Sequence, residues 1–333
     1  MAKSKSFFGL RTGSTKSLTF QVYRGQQITK DRVTRISNPR SEAQMKQRAL
    51  IPIVAASRAA LRGLVDHSFE GVAYGEQSLK MFSSLNLKSG ALDVKSYSPN
   101  GFTNPGFATL QISAGSLINR ISSRGISEDK TKAVVEYSGA GDLKFPAAAV
   151  GDDADAILNA IATWGATNNV AEVSPGNQLT FLTVSNVDIT MVGNKEAPLS
   201  AFDINRVLFP SAETTSSQDE DVNGPWKVSS QVSQGATKAT LYNKKCTLDI
   251  SFVGGQLIFE VEPTNNPSGS TVVGIGVIRS ANVNGTWKRS TEKIWLEPMG
   301  ADAYTYEMWR SYYQSTSVSA KYLNHGDEST GIA

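Results

Sequence analysis

From about residue 90 onward the sequence alternates short β-rich runs with clusters of Gly, Asn, Pro and Ser. That texture constrains the fold more than any other feature. Strands with turn signals every ~8 to 12 residues are characteristic of sandwiches. The runs include FATLQISAG, KAVVEYSGAG and QLTFLTVSNVDITMV. KKCTLDISFVGGQLIFEVEP predicts two strands around a Gly254-Gly255 turn, and TVVGIGVIRSANV predicts another strand with glycines. One helix interrupts the pattern, DDADAILNAIATWG, with acids in its first turn and Gly165 expected just past its end. Residues 211–224, SAETTSSQDEDVNG, read as a polar linker or long surface loop. Val222 to Lys227 and Val283 to Lys288 match at five of six positions, which predicts two similar Asn-Gly turns leading into Trp-bearing strands.

The part before residue 90 reads differently. Leu18, Phe20 and Val22 alternate with Thr19, Gln21 and Tyr23, the period of a half-buried strand, and Gly25 ends it. A second extended piece, DRVTRIS, runs to Asn38-Pro39. Ser41 then opens a helix, with Gln44 three residues on as in a capping box. Ala43, Leu50, Val54, Leu61 and Val65 form one stripe, Pro52 predicts a kink or break, and Gly63 lies near the end. A second helix is expected over about 75–86 through Leu79, Phe82 and Leu85, forming a hairpin around HSFEGVAYG. The expected fold class is α+β. It divides into a basic extended arm at 1–40, a helical hairpin at 41–90, a β-rich domain with one inserted helix at 91–210, and a sandwich-like domain with an aromatic C-terminal segment at 222–333.

Charge is spread unevenly. The whole chain carries +3, yet residues 1–62 hold 13 Lys and Arg against two acids, a net +11, leaving −8 on the remaining 271 residues. Such a basic arm faces nucleic acid, a membrane surface or an acidic face of a neighbouring copy. Its charges alternate with Phe, Val, Ile and Leu, which favours contact with protein and makes nucleic acid secondary. At the other end, Tyr304, Tyr306, Trp309, Tyr312, Tyr313 and Tyr322 could anchor another chain, since large aromatics bring contact area. The candidate subunit-interface residues are therefore Arg32, Arg35, Arg40, Arg48, Arg58, Arg62, Trp309, Tyr312 and Tyr313.

Motifs that carry chemistry are scarce. GLRTGSTKS resembles a phosphate-binding loop, but Ser14 and Thr15 separate Gly13 from Lys16 where that loop needs Gly-Lys directly. Cys246 is the only cysteine, so no internal disulfide is expected and no cysteine cluster can hold a metal. The two histidines, His67 and His325, have no metal-binding spacing and no nucleophile elbow beside them. His67 is expected in the surface loop between the two helices. Asp152, Asp153 and Asp155 look like helix N-terminal charge, and Asp219, Glu220 and Asp221 lack a calcium-loop pattern. No catalytic, cofactor or metal residue is assigned, and the expectation is a protein that is not an enzyme. No stretch of about 18 apolar residues occurs, so no membrane partner is expected.

NPRSEAQMKQRALIPIVAASRAALRG resembles an N-terminal segment found in proteins of tailed bacteriophages and prophages of Bacteroidetes. The matching positions are Asn38, Pro39, Arg40, Ser41, Gln44, Gln47 and Arg48, within about 60 residues that share the pattern. The later Gly-rich region is similar in texture to the immunoglobulin-like parts of such proteins. The resemblance implies a virion structural protein, of the kind carried by crAss-like phages, assembled in the bacterial host cytoplasm. The expected partners are other copies of the chain and portal, tail or capsid proteins. A ring-forming neck or tail-barrel subunit held by its basic arm is the leading expectation. A capsid auxiliary protein is the alternative, and a glycan- or receptor-binding sandwich is a lesser one, which would present Trp226 and Trp287 on a shared face.

Overall fold

The computed structural model describes residues 2–4, 12–14, 18–23, 26–31, 51, 54–55, 57–59, 61–88, 96–98, 101–104, 110–151, 153–186, 202–211, 224–264 and 271–297. The chain divides into two compact units, Met1–Gln44 and Met45–Ala333.

The first unit is an antiparallel sheet of four strands, β1 (Ala2–Ser4), β2 (Gly13–Ser14), β3 (Leu18–Tyr23) and β4 (Gln26–Asp31), in the order β1-β4-β3-β2. The expected alternation holds from Phe20 on: Leu18, Phe20 and Val22 are half-buried and Gln21 and Tyr23 exposed, while Thr19 is half-buried as well. A strand not expected from the sequence, β4, pairs with β3 from Tyr23↔Gln26 to Leu18↔Asp31, and the expected extended stretch beyond Asp31 lies outside the described residues. Among the residues of this unit whose side chains are described, none is buried.

In the second unit residues 51, 54–55 and 57–59 are helical, and α1 (Arg62–Val65) and α2 (Glu76–Asn86) follow. Val54, Leu61 and Val65 of the expected stripe are buried; Pro52 lies outside the described residues. Gly63 lies near the end of α1, as expected, with Val65 the last helical residue. Helix α2 covers the expected residues, begins at Gly75 (φ 81°), and buries Phe82. The Ser78 hydroxyl donates to the Val65 carbonyl at 2.6 Å and ties the two helices together.

The β elements follow as β5 (Ser96–Ser98), β6 (Gly101–Asn104), β7 (Gln111–Ser113), β8 (Ser123–Ile126) and β9 (Ala133–Ser138). Helix α3 (Ala154–Thr167) comes next, then β10 (Asn177–Asn186), β11 (Phe202–Leu208), β12 (Lys227–Val228), β13 (Lys238–Tyr242), β14 (Cys246–Val253) and β15 (Gln256–Pro263). The last are β16 (Thr271–Val283), β17 (Thr286–Arg289), β18 (Glu292–Lys293) and β19 (Trp295–Leu296). Two large sheets result. One has the order β11-β10-β16-β17 with β19 also on β16; the other has the order β12-β13-β14-β15-β9-β8. They face each other across a core that includes Tyr137, Phe181, Phe209, Leu248, Phe259 and Val277. The chain is thus mainly β, with few helices, arranged as a sandwich.

The expected split into separate β domains at 91–210 and 222–333 differs from what forms. β9 pairs with β15 and β10 pairs with β16, so both stretches share the same sheets and the same core. Strand β10 explains why. It is buried on both faces, with Phe181 in the core between the sheets and Leu182 in a second core. That second core holds Leu64, Val65, Phe82, Ile112, Leu182, Val184 and Ile278, and packs the helical hairpin on the outer face of the same sheet. A strand covered on both sides needs partners from distant sequence.

Local signals place the turns. Gly254 and Gly255 have φ of 60° and 82°, as a two-residue turn joining β14 and β15 requires. Asn284 and Gly285, at 53° and 77°, do the same between β16 and β17. In α3 the Asp153 side chain accepts from the Ala156 N–H at 3.1 Å, and Asp155 sits in the first turn. Gly165 lies inside this helix, which continues to Thr167, so it is not the terminator expected. A Cβ there would sit 3.0 Å from the Val170 carbonyl oxygen and 2.8 Å from a Val173 methyl, so glycine is kept for close packing.

Candidate functional site: a cationic groove on the outer sheet face

Alternation along the sheet builds a groove beside the second core. On β10, Gln178 and Thr180 point outward on the face that further along carries Leu182 and Val184. Strand pairing extends this face sideways. Gln178 pairs with Leu208 on β11 and with Ser280 on β16, and Ser280 pairs with Arg289 on β17. Thr180 pairs with Arg206, and Asn282 with Trp287. The result is a cavity of about 890 Å³ with Arg206 on one flanking strand and Trp287 and Arg289 on the other. Leu64, His67 and Ser68 from the end of α1 close its side.

The groove is positive. Among the described residues, no carboxylate lines it. Arg289 donates through Nε to the His67 carbonyl at 3.0 Å, and its guanidinium lies 5.3 Å from the Trp287 ring centre. Arg206 donates to the Gly63 carbonyl at 3.3 Å. These two bonds satisfy backbone oxygens around the C-terminal turn of α1, so the arginines also fasten the hairpin to the sheet. Burial, then Arg206, then Glu70 set the Arg289 balance: the first two push its proton affinity down and Glu70 pushes it up. His67 stacks on Tyr74 at 4.5 Å between ring centres. Its pKa is lowered from 6.5, first by partial burial and then by Arg206 and Arg289, so it is neutral at pH 7. Trp287 is 44% exposed.

Arg58 and Arg62, the two expected interface residues that are described, do not line this groove. Arg58 is half-buried and Arg62 is exposed; Arg62 meets Asp66 of its own chain at 3.8 Å. Arg32, Arg35, Arg40, Arg48, Trp309, Tyr312 and Tyr313 lie outside the described residues. So do His325 and the Asp219–Asp221 cluster. Trp226 and Trp287 do not share an exposed face. Trp226 is buried and donates its indole N–H to the Arg206 carbonyl at 2.7 Å, so the two Asn-Gly-linked tryptophans play different parts. His67 is exposed and lies between α1 and α2, as expected. A signal for the groove was present in the sequence: an Asn-Gly turn at 284–285 puts Trp287 and Arg289 on one face of a strand. Pairing with Arg206 on β11 was not readable, because it depends on which strands become neighbours.

A second polar cluster lies deeper. Arg124 on β8 reaches the buried Glu292 of β18 at 3.1 Å, and the Tyr137 hydroxyl donates to Asn119 Oδ1 at 3.1 Å. The Arg124 Nε is buried and makes no hydrogen bond to the protein. Burial pushes the Glu292 carboxyl up to about 7, outweighing Arg124 and the hydrogen bonds from Asn119 and Ser290, which pull it down. Its folded-state pKa stands above the ordinary 4.5, so its stabilising contribution is complete below pH 4.5 and is lost as pH rises through 7. Denaturant titrations of the protein and of Glu292→Gln across this range test the point. The wild-type advantage should grow on acidification, by on the order of 3 kcal/mol. A difference that stays flat with pH would show that Glu292 ionises as it does in water.

Cys246 is buried, and burial raises its thiol pKa, so it is not poised as a nucleophile. Among the described residues, no three His, Cys, Asp or Glu side chains are placed to hold a metal, and no helix is long and apolar enough to cross a membrane.

No protein-family model, no curated protein and no solved structure matches this chain.

Proposed function

We propose that the protein is a structural subunit of a bacteriophage virion, a ring-forming component of the neck or tail barrel held to its neighbours by its basic N-terminal segment. One observation carries this reading. The first unit pairs into a four-stranded sheet, yet none of its described side chains is buried, and Leu18, Phe20, Val22 and Ile28 are only half-covered. A four-stranded sheet with no buried side chain among those described gains stability by laying its apolar face on another surface. The net +11 over residues 1–62 supplies charge complementary to the −8 carried by the rest of another copy. Immunoglobulin-like character of the sandwich and an arm-like role for residues 1–40 belong to this same reading.

The test is the mass of the purified full chain in solution, at low and moderate salt, beside a variant lacking residues 1–40. The expected result is a closed oligomer that falls to monomer on deletion. A monomer under every condition would overturn autonomous ring formation and favour a capsid auxiliary protein that docks on a preformed shell.

A further inference from the structure

The cationic groove has the make-up of a ligand site independent of subunit assembly. Its floor is neutral and polar. Thr180 and Ser280 are buried, at 4% and 3% exposure, and among the described residues no side-chain hydrogen bond to the protein engages either hydroxyl or the Asn282 amide. Their oxygens open onto the cavity rather than being sealed in the core, so a ligand in the cavity can reach them. They sit on neighbouring strands in a diagonal relation, Thr180 paired with Ile278 and Ser280 with Gln178, at the centre of a sheet. At one flank Trp287 offers an exposed indole, with the Arg289 guanidinium over its ring. A guanidinium has five N–H donors, and two of those on Arg289 are placed on the carbonyls of His67 and Lys288.

We propose that this groove binds an acidic saccharide, a sugar unit bearing a carboxylate, with its hydroxyls on the floor, its ring against Trp287 and its charge between Arg206 and Arg289. Each part of the ligand has a counterpart. A planar carboxylate matches the arginine fork, which pairs with it through two parallel bonds. Sugar hydroxyls both donate and accept, as the side chains of Thr180, Ser280 and Asn282 do. The apolar face of a pyranose ring covers an indole. The cavity of about 890 Å³ lies in the size range of small-molecule sites. A nucleic acid would ask for a continuous track of phosphate-binding cations, whereas this groove concentrates its charge at two flanks and keeps a neutral floor between them.

The experiment is a calorimetric titration of the full chain with trigalacturonate and with a sialyl trisaccharide. Maltotriose, a glutamate-rich peptide, inorganic phosphate and a short oligo-dT serve as comparisons. Saturable binding of at least one acidic saccharide is expected, at least ~10-fold tighter than maltotriose and weakened by added salt. Trp287→Ala and Arg289→Lys should each weaken it about tenfold. Trp287 is exposed, so its variant keeps the parent melting temperature and separates loss of binding from loss of fold. The His67 ring, followed by NMR, should titrate at higher pH when the anion is bound. Failure of both acidic saccharides to bind overturns the proposal, as does equal or tighter binding of maltotriose, peptide, phosphate or oligo-dT. None of these outcomes changes the oligomer measurement that decides the assembly reading.

Discussion

Phe259→Ala should destabilise the fold by about 3–5 kcal/mol. The ring is fully buried on β15 and is shared by both sheets. It meets Tyr137 edge-on, with ring centres 6.1 Å apart and an interplanar angle of 80°. It also meets Phe181 of β10 at 5.7 Å and Phe209, just past β11, at 6.4 Å. Truncation removes the transfer energy of the ring and three aromatic contacts, and leaves a cavity where the layers meet. The surrounding residues belong to strands and have little freedom to collapse into it. Guanidinium denaturation at pH 7 measures the effect. Val253→Ala, on the adjacent strand but 57% exposed, serves as the control and should change stability by no more than about 0.5 kcal/mol. A loss under about 1 kcal/mol for Phe259→Ala would mean that the sheets are not joined through this ring.

Gly115→Ala should have the next largest effect and should reach the groove as well. A Cβ at 115 would lie 2.1 Å from the Arg289 carbonyl oxygen and 2.7 Å from its carbonyl carbon. These are backbone atoms and cannot rotate away. Separation would strain the bonds that clamp this crossing, Leu117 N–H to the Arg289 carbonyl at 2.9 Å and Gly115 N–H to Thr291 Oγ1 at 3.0 Å. We expect a loss of about 2–3 kcal/mol. Because Arg289 itself must shift, binding of an acidic saccharide should weaken in the folded variant. Gly63→Ala is the matched control: nothing lies within 4 Å of its Cβ position, and alanine suits a helix better than glycine. If Gly115→Ala melts at the wild-type temperature, the close approach of residues 115 and 289 is incorrect.

Much of the local structure was legible in the sequence. The Gly254-Gly255 and Asn284-Gly285 turns, helix α2 and the acid-capped start of α3 all follow from short-range rules. Positive φ, capping and periodicity depend only on a residue and its near neighbours. Gly165 misled for the same reason: at the sequence level a glycine near a helix end reads as a terminator, and only packing against Val170 and Val173 shows why it lies inside. Trp226 and Trp287 show a similar limit. Their flanking sequences are nearly identical, yet one is buried with its indole N–H on the Arg206 carbonyl and the other is exposed at the groove.

What the sequence determined by itself was the class of structure: short strands, their turns, a helical hairpin before them, and a chain with its positive charge gathered at one end. The tertiary structure alone decided that the two β-rich stretches form one sandwich, because strand pairing joins residues more than a hundred apart, such as Val135 with Phe259. It alone decided the groove too. Arg206, Thr180, Ser280 and Arg289 come from four strands, and hydrogen-bond register across a sheet sets them side by side. No local pattern encodes that register. It follows from which strands bury both faces and must therefore lie at the centre.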